Sequence, residues 1–126
     1  GKHIALWGLS FKPRTDDVRE APAKYIIKAL TDSGAKVTAY DPVAQKTAKD
    51  SFDAPFELAA SASEATQGAD ALAIVTEWNE FRNPNFDELK KNLKTPLIFD
   101  GRNALHIADV KKHGFKYYCI GRQAIV

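Results

Sequence analysis

The sequence predicts an α/β protein of the doubly wound type, with a parallel sheet between two layers of helices. Short apolar runs alternate with stretches of helical periodicity along the 126 residues. Gly34 and Gly114 stand where helices are expected to end just before the next strand. No internal repeat, low-complexity stretch or linker divides the chain. We therefore expect residues 1–126 to form one Rossmann-like, three-layer α/β/α domain.

The expected elements follow this alternation from the first residues onward. His3 to Trp7 is an apolar run suited to a buried parallel strand, and Pro22 suits the first turn of the next helix. Further strands are expected at 36–40, 71–75, 96–99 and 116–120. Helices are expected at 22–33, 43–50, 61–67, 86–92 and 107–113. Segment 51–60 stays ambiguous, with a short strand at 55–58 as one possibility.

The composition excludes several classes of partner. A hydrophobic content of 44% and a charged content of 27% are ordinary for a globular protein in water. The net charge of +2 is too small to indicate a nucleic-acid partner. No apolar run approaches the roughly 18 residues of a membrane span, and the beginning lacks a signal-peptide pattern. We expect no nucleic acid, no membrane association and a cytoplasmic location.

The loop from Gly8 to Pro22 carries three cations between an apolar strand and a helix. A helix beginning offers unpaired N–H groups and a positive dipole end, so Lys12 and Arg19 would add full charges where phosphate is already favoured. Arg14, next to Asp16 and Asp17, is more typical of a salt-bridged side chain. Because G-x-G-x-x-G is absent, side chains must supply much of the binding. The loop is predicted to clamp a phosphate or pyrophosphate.

Three segments with conspicuous charged or aromatic residues each follow a predicted strand. In open α/β sheets, ligands bind outside the carboxyl ends of the strands. These segments are 8–20, 76–81 and 100–103. The fold would bring them to one edge, where Lys12, Arg19 and Arg102 could hold a single anionic ligand. The position of these three basic residues favours function over simple solvation.

Other conspicuous side chains are better explained by structure. Trp78 and Phe81 are expected to pack rather than stack on a ligand. Asp41, before Pro42 and without a glycine fingerprint, is expected to form a turn rather than bind a ribose. Cys119 is the only cysteine, so no internal disulfide can form, and we expect it to be a small buried side chain.

No metal site is expected. His3, His106 and His113 show no ligand spacing, and His113 suits the end of a helix before Gly114. One thiol alone does not make a metal site either. The chain also lacks a recognisable nucleophile or acid–base constellation, so we assign it no catalytic residue.

The loop and four later motifs resemble the C-terminal domain of UDP-glucose 6-dehydrogenases. The signature F-K-P-x-T-D-D-x-R-x-A-P is matched from Phe11 to Pro22. The other landmarks occur in the same order: Tyr40-Asp41-Pro42, Thr76-Glu77-Trp78 with Phe81, Phe99-Asp100-Gly101-Arg102-Asn103, and Tyr118-Cys119-Ile120-Gly121-Arg122. Five motifs in register over the whole chain make the resemblance specific.

The resemblance implies a function that the residues alone do not. Enzymes of this family oxidise UDP-glucose to UDP-glucuronate with two NAD through a cysteine thiohemiacetal and thioester. It implies that Phe11, Lys12 and Arg102 contact the UDP-sugar and that Arg19 reaches the NAD. The dinucleotide-binding domain, the nucleophilic cysteine and the dimerisation helix would belong to the rest of a parent polypeptide, which is expected to be a homodimer or larger. This chain would supply binding and no catalysis.

Two alternatives stay open at this point. The parent enzyme could be a GDP-mannose or UDP-aminosugar dehydrogenase, which shares the architecture but usually varies the residues around Lys12 to Asp17. The chain could instead be a free-standing, non-catalytic nucleotide-binding module. The absence of methionine and the beginning at Gly1 suggest that a longer polypeptide precedes this domain, although a processed start at Gly1 would look the same.

Overall fold

The computed structural model describes residues 2–9, 22–52, 55–76, 78–102 and 104–119. These residues form a six-stranded sheet in which every pair of neighbouring strands is parallel. The strands are β1 (His3–Trp7), β2 (Lys36–Tyr40), β3 (Glu57–Leu58), β4 (Ala71–Ile74), β5 (Leu97–Asp100) and β6 (Lys116–Cys119). Their order, β3-β2-β1-β4-β5-β6, is that of doubly wound nucleotide-binding folds.

Six helices connect these strands in the described part of the chain. They are α1 (Pro22–Asp32), α2 (Gln45–Ser51), α3 (Ala62–Thr66), α4 (Asn79–Arg82), α5 (Phe86–Asn92) and α6 (Ile107–Lys112). Side chains cap two of them, since Ser61 accepts a hydrogen bond from Glu64 N and Asn85 accepts one from Glu88 N. None of the helices in the described ranges is both long enough and apolar enough to cross a membrane.

The two faces of the sheet carry separate cores. Leu6 and Val37 pack with Ile27 of α1 and Ala48 of α2, which defines the α1/α2 face. On the opposite side, the α3–α6 face, the sheet packs against apolar residues of α3, α4, α5 and α6. The side chains of each strand alternate between these faces, as the period of two requires.

The predicted fold class is confirmed, and most element bounds agree within two residues. Gly34 and Gly114 have φ angles of 90° and 81°, as expected where helices stop. The ambiguous segment 51–60 contains the short strand β3, and α4 is a helix that the sequence pattern does not predict. The expected strand residue 120 lies outside the described residues. Helix α2 begins at Gln45 rather than 43 because the Asp41 carboxylate holds Val43 N and Ala44 N in a turn.

Candidate ligand site at the carboxyl edge of the sheet

The strand order reverses between β1 and β4, and the crevice outside their carboxyl ends is where doubly wound folds bind ligands. Beyond β1 the chain continues through Gly8 and Leu9, and beyond β4 through Val75 and Thr76. Val75 N and Thr76 N donate to Trp7 O over 2.8 and 3.4 Å. The ends of the two strands are therefore held together at the point where the crevice opens.

Gly8 brings the loop that follows β1 against the end of β4. Its φ of 104° lies in the region that favours glycine, and its N–H donates to Tyr40 O over 2.8 Å. A Cβ at this position would lie 2.5 Å from Thr76 Cβ and Oγ1 and 2.6 Å from Thr76 N. Only glycine fits this approach, so it fixes where the predicted anion-binding loop begins.

Asp41 is a buried junction of three chain segments, with only 2% of its surface exposed. Its Oδ1 accepts hydrogen bonds from Val43 N and Ala44 N, both over 2.8 Å. Its Oδ2 accepts one from Leu9 N over 2.8 Å and one from the Trp78 indole over 3.3 Å. The carboxylate thus ties the end of β2 to the loops after β1 and β4. The prediction that Asp41 forms a turn is confirmed.

Asp100 has a similar place at the end of β5 and is 1% exposed. Its Oδ1 accepts from Arg102 N over 3.0 Å, and its Oδ2 accepts from Leu105 N over 3.0 Å and from the Tyr117 hydroxyl over 2.6 Å. Gly101 N donates to Ile74 O over 2.9 Å, which joins this loop to the end of β4. The turn that carries Arg102 is therefore fixed on both sides.

The predicted site residues fall into two groups. Arg102 lies half-buried in the turn after β5, at the expected edge. Phe11, Lys12 and Arg19 lie outside the described residues, so their assignment stays a prediction. The described parts of the predicted segments come together at the end of β4, where Gly8 lies against Thr76 and Gly101 N donates to Ile74 O.

The aromatic residues after β4 pack as expected. Phe81 is fully buried and stacks on Trp7 with a ring-centroid distance of 5.1 Å. Trp78 is half-buried, and its indole donates to Asp41. Tyr40, beside them, has its pKa raised above 10.0 mainly by burial, with contributions from Glu80 and Asp41. The hydroxyl also hydrogen-bonds the Glu80 side chain, and these effects all favour the neutral phenol over the phenolate.

The sequence reasoning missed Asp100 and its partner Tyr117 as organisers of the site. A signal was present, because Asp41 and Asp100 each follow a buried strand and precede a turn-forming Pro42 or Gly101. In the described portion of the chain, no group of three or more His, Cys, Asp or Glu side chains is arranged to hold a metal ion.

Fold and site together are those of a nucleotide-binding α/β domain whose candidate ligand edge lies at the carboxyl ends of β1, β4 and β5. Residues 5–107 match the UDP binding domain of the UDP-glucose/GDP-mannose dehydrogenase family. The chain belongs to this family, which confirms the resemblance found in the sequence.

Curated relatives agree with this assignment. The chain is 49% identical to a UDP-glucose 6-dehydrogenase of Rhizobium meliloti and 44% identical to one of Pseudomonas aeruginosa, over 97% of its own length. It spans 28% of the length of each of these two relatives.

Solved structures give the same fold. A UDP-D-ManNAc dehydrogenase from Pyrococcus horikoshii superposes with a TM-score of 0.75 at 30% identity, covering 96% of this chain and 26% of that one. An NDP-N-acetyl-D-galactosaminuronic acid dehydrogenase from Methanosarcina mazei superposes with a TM-score of 0.80 at 25% identity, covering 98% and 25%.

Proposed function

We propose that this chain is a single UDP-sugar-binding domain of a cytoplasmic, NAD-dependent enzyme that oxidises UDP-glucose to UDP-glucuronate. The match of residues 5–107 to the UDP binding domain of the family carries the proposal. High identity to UDP-glucose 6-dehydrogenases favours this substrate. The chain alone should be inactive, because the nucleophilic cysteine and the dinucleotide domain would belong to the rest of the polypeptide.

Within this domain, Phe11, Lys12 and Arg102 bind the UDP-sugar, and Arg19 reaches the NAD. The fixed turn after β5 supports the role of Arg102, because it holds the backbone of a cation at the ligand edge. A guanidinium grips a diphosphate with two parallel hydrogen bonds, whereas Lys12 supplies a movable point charge.

Steady-state kinetics of the full-length parent enzyme test these roles. Lys12→Ala and Arg102→Ala should weaken the use of UDP-glucose, and Arg19→Ala should chiefly raise the NAD requirement. The loss of one charge-assisted hydrogen bond costs about 1.5 to 3 kcal/mol, which is about 10-fold to 150-fold in kcat/KM for the affected substrate. Arg14→Ala is the matched control, since Arg14 is expected to pair with its acidic neighbours.

Two results would refute the division of roles. One is an Arg19→Ala enzyme whose UDP-glucose dependence alone has changed. The other is a set of three variants indistinguishable from Arg14→Ala. Activity of this chain by itself, measured as NADH formation after removal of full-length enzyme, would refute its assignment as a binding domain.

A UDP-aminosugar dehydrogenase is the second candidate function. It is supported by the superposition on UDP-D-ManNAc dehydrogenase, at 30% identity over 96% of this chain. Assays of the parent enzyme with UDP-glucose and UDP-N-acetylmannosamine in parallel separate the two. We expect UDP-glucose to give the higher kcat/KM, and the reverse preference would establish the second candidate.

A further inference from the structure

The α1/α2 face of the sheet is covered over β1 and β2 but exposed over β5 and β6. Adjacent residues of the same strands show the contrast, because their side chains point to opposite faces. In β5, Ile98 is 0% exposed on the α3–α6 face, whereas Phe99 is 44% exposed on the α1/α2 face. In β6, Tyr117 is 0% exposed and Tyr118 is 40% exposed. Phe99 and Tyr118 stack in the open, with ring centroids 5.4 Å apart.

Beside this exposed pair, an apolar groove of about 510 Å³ runs between α1 and the strands β4 and β5. Of the described residues that line it, all are apolar except Gly101 and Arg102 at one end. The α1 side of the groove is formed by Ile26 and Leu30, and Phe99 lies on the opposite side. The groove is a contiguous apolar surface rather than a set of single exposed apolar side chains. Contiguous apolar patches mark interaction sites.

The open part of this face, from the groove to the exposed Tyr118 of β6, has the width of an α-helix. Strands lie about 4.8 Å apart, so β4 to β6 span about 10 Å, which is close to the diameter of one helix with its side chains. Among the described residues, α1 and α2 are the helices on this face, and they pack over β1, β2 and β3. Doubly wound folds carry helices on both faces of the sheet, so a helix beside α1 would complete this layer.

We propose that the groove seats an amphipathic helix of the parent polypeptide, from outside residues 1–126, with a seam of aliphatic side chains. This inference rests on the proposed function only in that the chain is part of a longer dehydrogenase. The relatives, of which it spans 28%, have ample polypeptide to supply the helix.

Other occupants fit the groove less well. A second copy would present the same concave surface, and an isologous contact between two grooves leaves both unfilled. A small-molecule site needs several convergent polar groups among its apolar walls, and within the described lining Arg102 has the one polar side chain.

Photo-crosslinking in the full-length parent identifies the occupant. The photoreactive residue p-benzoylphenylalanine replaces Phe99 in one variant and Tyr25 in a matched control. Tyr25 is an aromatic residue of α1 that is 65% exposed and does not line the groove. After irradiation, we expect the position-99 variant to give an intramolecular link that mass spectrometry maps to a helix outside residues 1–126. The control should give no such link.

Hydroxyl-radical footprinting of the unaltered parent enzyme provides an independent measurement. The exposed fractions of Phe99 and Tyr118 in this domain predict a modification rate for each ring relative to that of Tyr25. In the parent enzyme we expect both rates to be lower than predicted, on the order of fivefold, because a seated helix removes the accessible area of the rings.

Several outcomes would overturn the inference. They are a covalent dimer, a link to residues 10–21 or 120–126 of this chain, or full reactivity of both rings in the parent. An enzyme that oxidises UDP-glucose while both rings stay reactive overturns this inference alone. An inactive enzyme with both rings protected overturns the proposed function alone.

Discussion

The two halves of the carboxyl edge are each organised around a buried aspartate, but the donors around the two carboxylates differ in kind. Among the described residues, the donors to Asp41 are the backbone N–H groups of Leu9, Val43 and Ala44 and the indole of Trp78. All four can only donate a hydrogen bond. Around Asp100, one of the donors is the Tyr117 hydroxyl, which can donate or accept.

This difference indicates how firmly each half depends on a carboxylate. On the Asp41 side, both oxygens must accept, and the bonds link three strand ends where the anion-binding loop begins. On the Asp100 side, one partner can reverse its role, and the bonds stabilise the turn that carries Arg102. The β1–β2–β4 half should therefore tolerate substitution less well than the β5–β6 half.

The largest effect is expected from Gly8→Ala. The new Cβ would combine a φ of 104° with a separation of 2.6 Å from Thr76 N. Backbone strain and overpacking together should lower the free energy of unfolding by about 2 to 5 kcal/mol, measured by urea denaturation. Gly34→Ala is the control, because its φ is 90° but no atom lies within 4 Å of the added Cβ. Equal losses in both variants would show that the contact with Thr76 is not a constraint.

Asp41→Asn and Asp100→Asn compare the two halves directly. At Asp41, the new NH₂ group must face donors, so one pair of hydrogen bonds is lost and stability should fall by about 2 to 3 kcal/mol. At Asp100, the new NH₂ group faces Leu105 N or Arg102 N, so one backbone hydrogen bond is lost in either orientation. The Tyr117 hydroxyl can accept as well as donate, so the total loss should be smaller, about 1 to 2 kcal/mol. Thermal and urea denaturation of both variants measure the difference. A larger loss at Asp100 would contradict the comparison.

Tyr117→Phe should have a smaller effect on the β5–β6 half. The ring stays buried, but Asp100 loses the hydroxyl that donates over 2.6 Å. A hydrogen bond to a charged group is worth about 1.5 kcal/mol at the low end, and Leu105 N still donates to the same oxygen. In the double variant with Asp100→Asn the two losses should not add, because they share one interaction. Strict additivity in this double-mutant cycle would show that the bond contributes nothing.

Trp78→Phe is expected to cost least on the β1–β2–β4 half. Its indole is half-buried, and its hydrogen bond to Asp41 is long at 3.3 Å. The loss should be below about 1 kcal/mol, since the other donors to Asp41 remain. Denaturation followed by circular dichroism gives this value. A loss as large as that of Asp41→Asn would mean that the indole, rather than the backbone donors, holds the junction.

The fold could be predicted from the sequence because its signals are local. The apolar run of β1 and the glycines after α1 and α6 act within a few residues of where they stand. Helix α4 was missed because its four residues are too few to show helical periodicity.

The site could be predicted only in part. Charged residues in a loop after a strand are visible in a sequence, and Lys12, Arg19 and Arg102 are predicted as site residues on that basis. The contact between Gly8 and Thr76 and the bond between Tyr117 and Asp100 join residues far apart in the chain. Such contacts depend on strand order and register, which periodicity does not specify.

NMR titration of this chain with UDP tests most directly whether the carboxyl edge binds the nucleotide. The two tryptophan indoles are a matched pair of probes, because Trp78 Nε1 donates to Asp41 at this edge, whereas Trp7 Nε1 donates to Ala62 O. We expect UDP to shift the Trp78 indole and the amides of Leu9 and Arg102, to leave the Trp7 indole unchanged, and to bind more weakly as salt is raised. Shifts confined to Ile26, Leu30 and Phe99 in the groove beside α1, or to the Trp7 indole, would contradict the account.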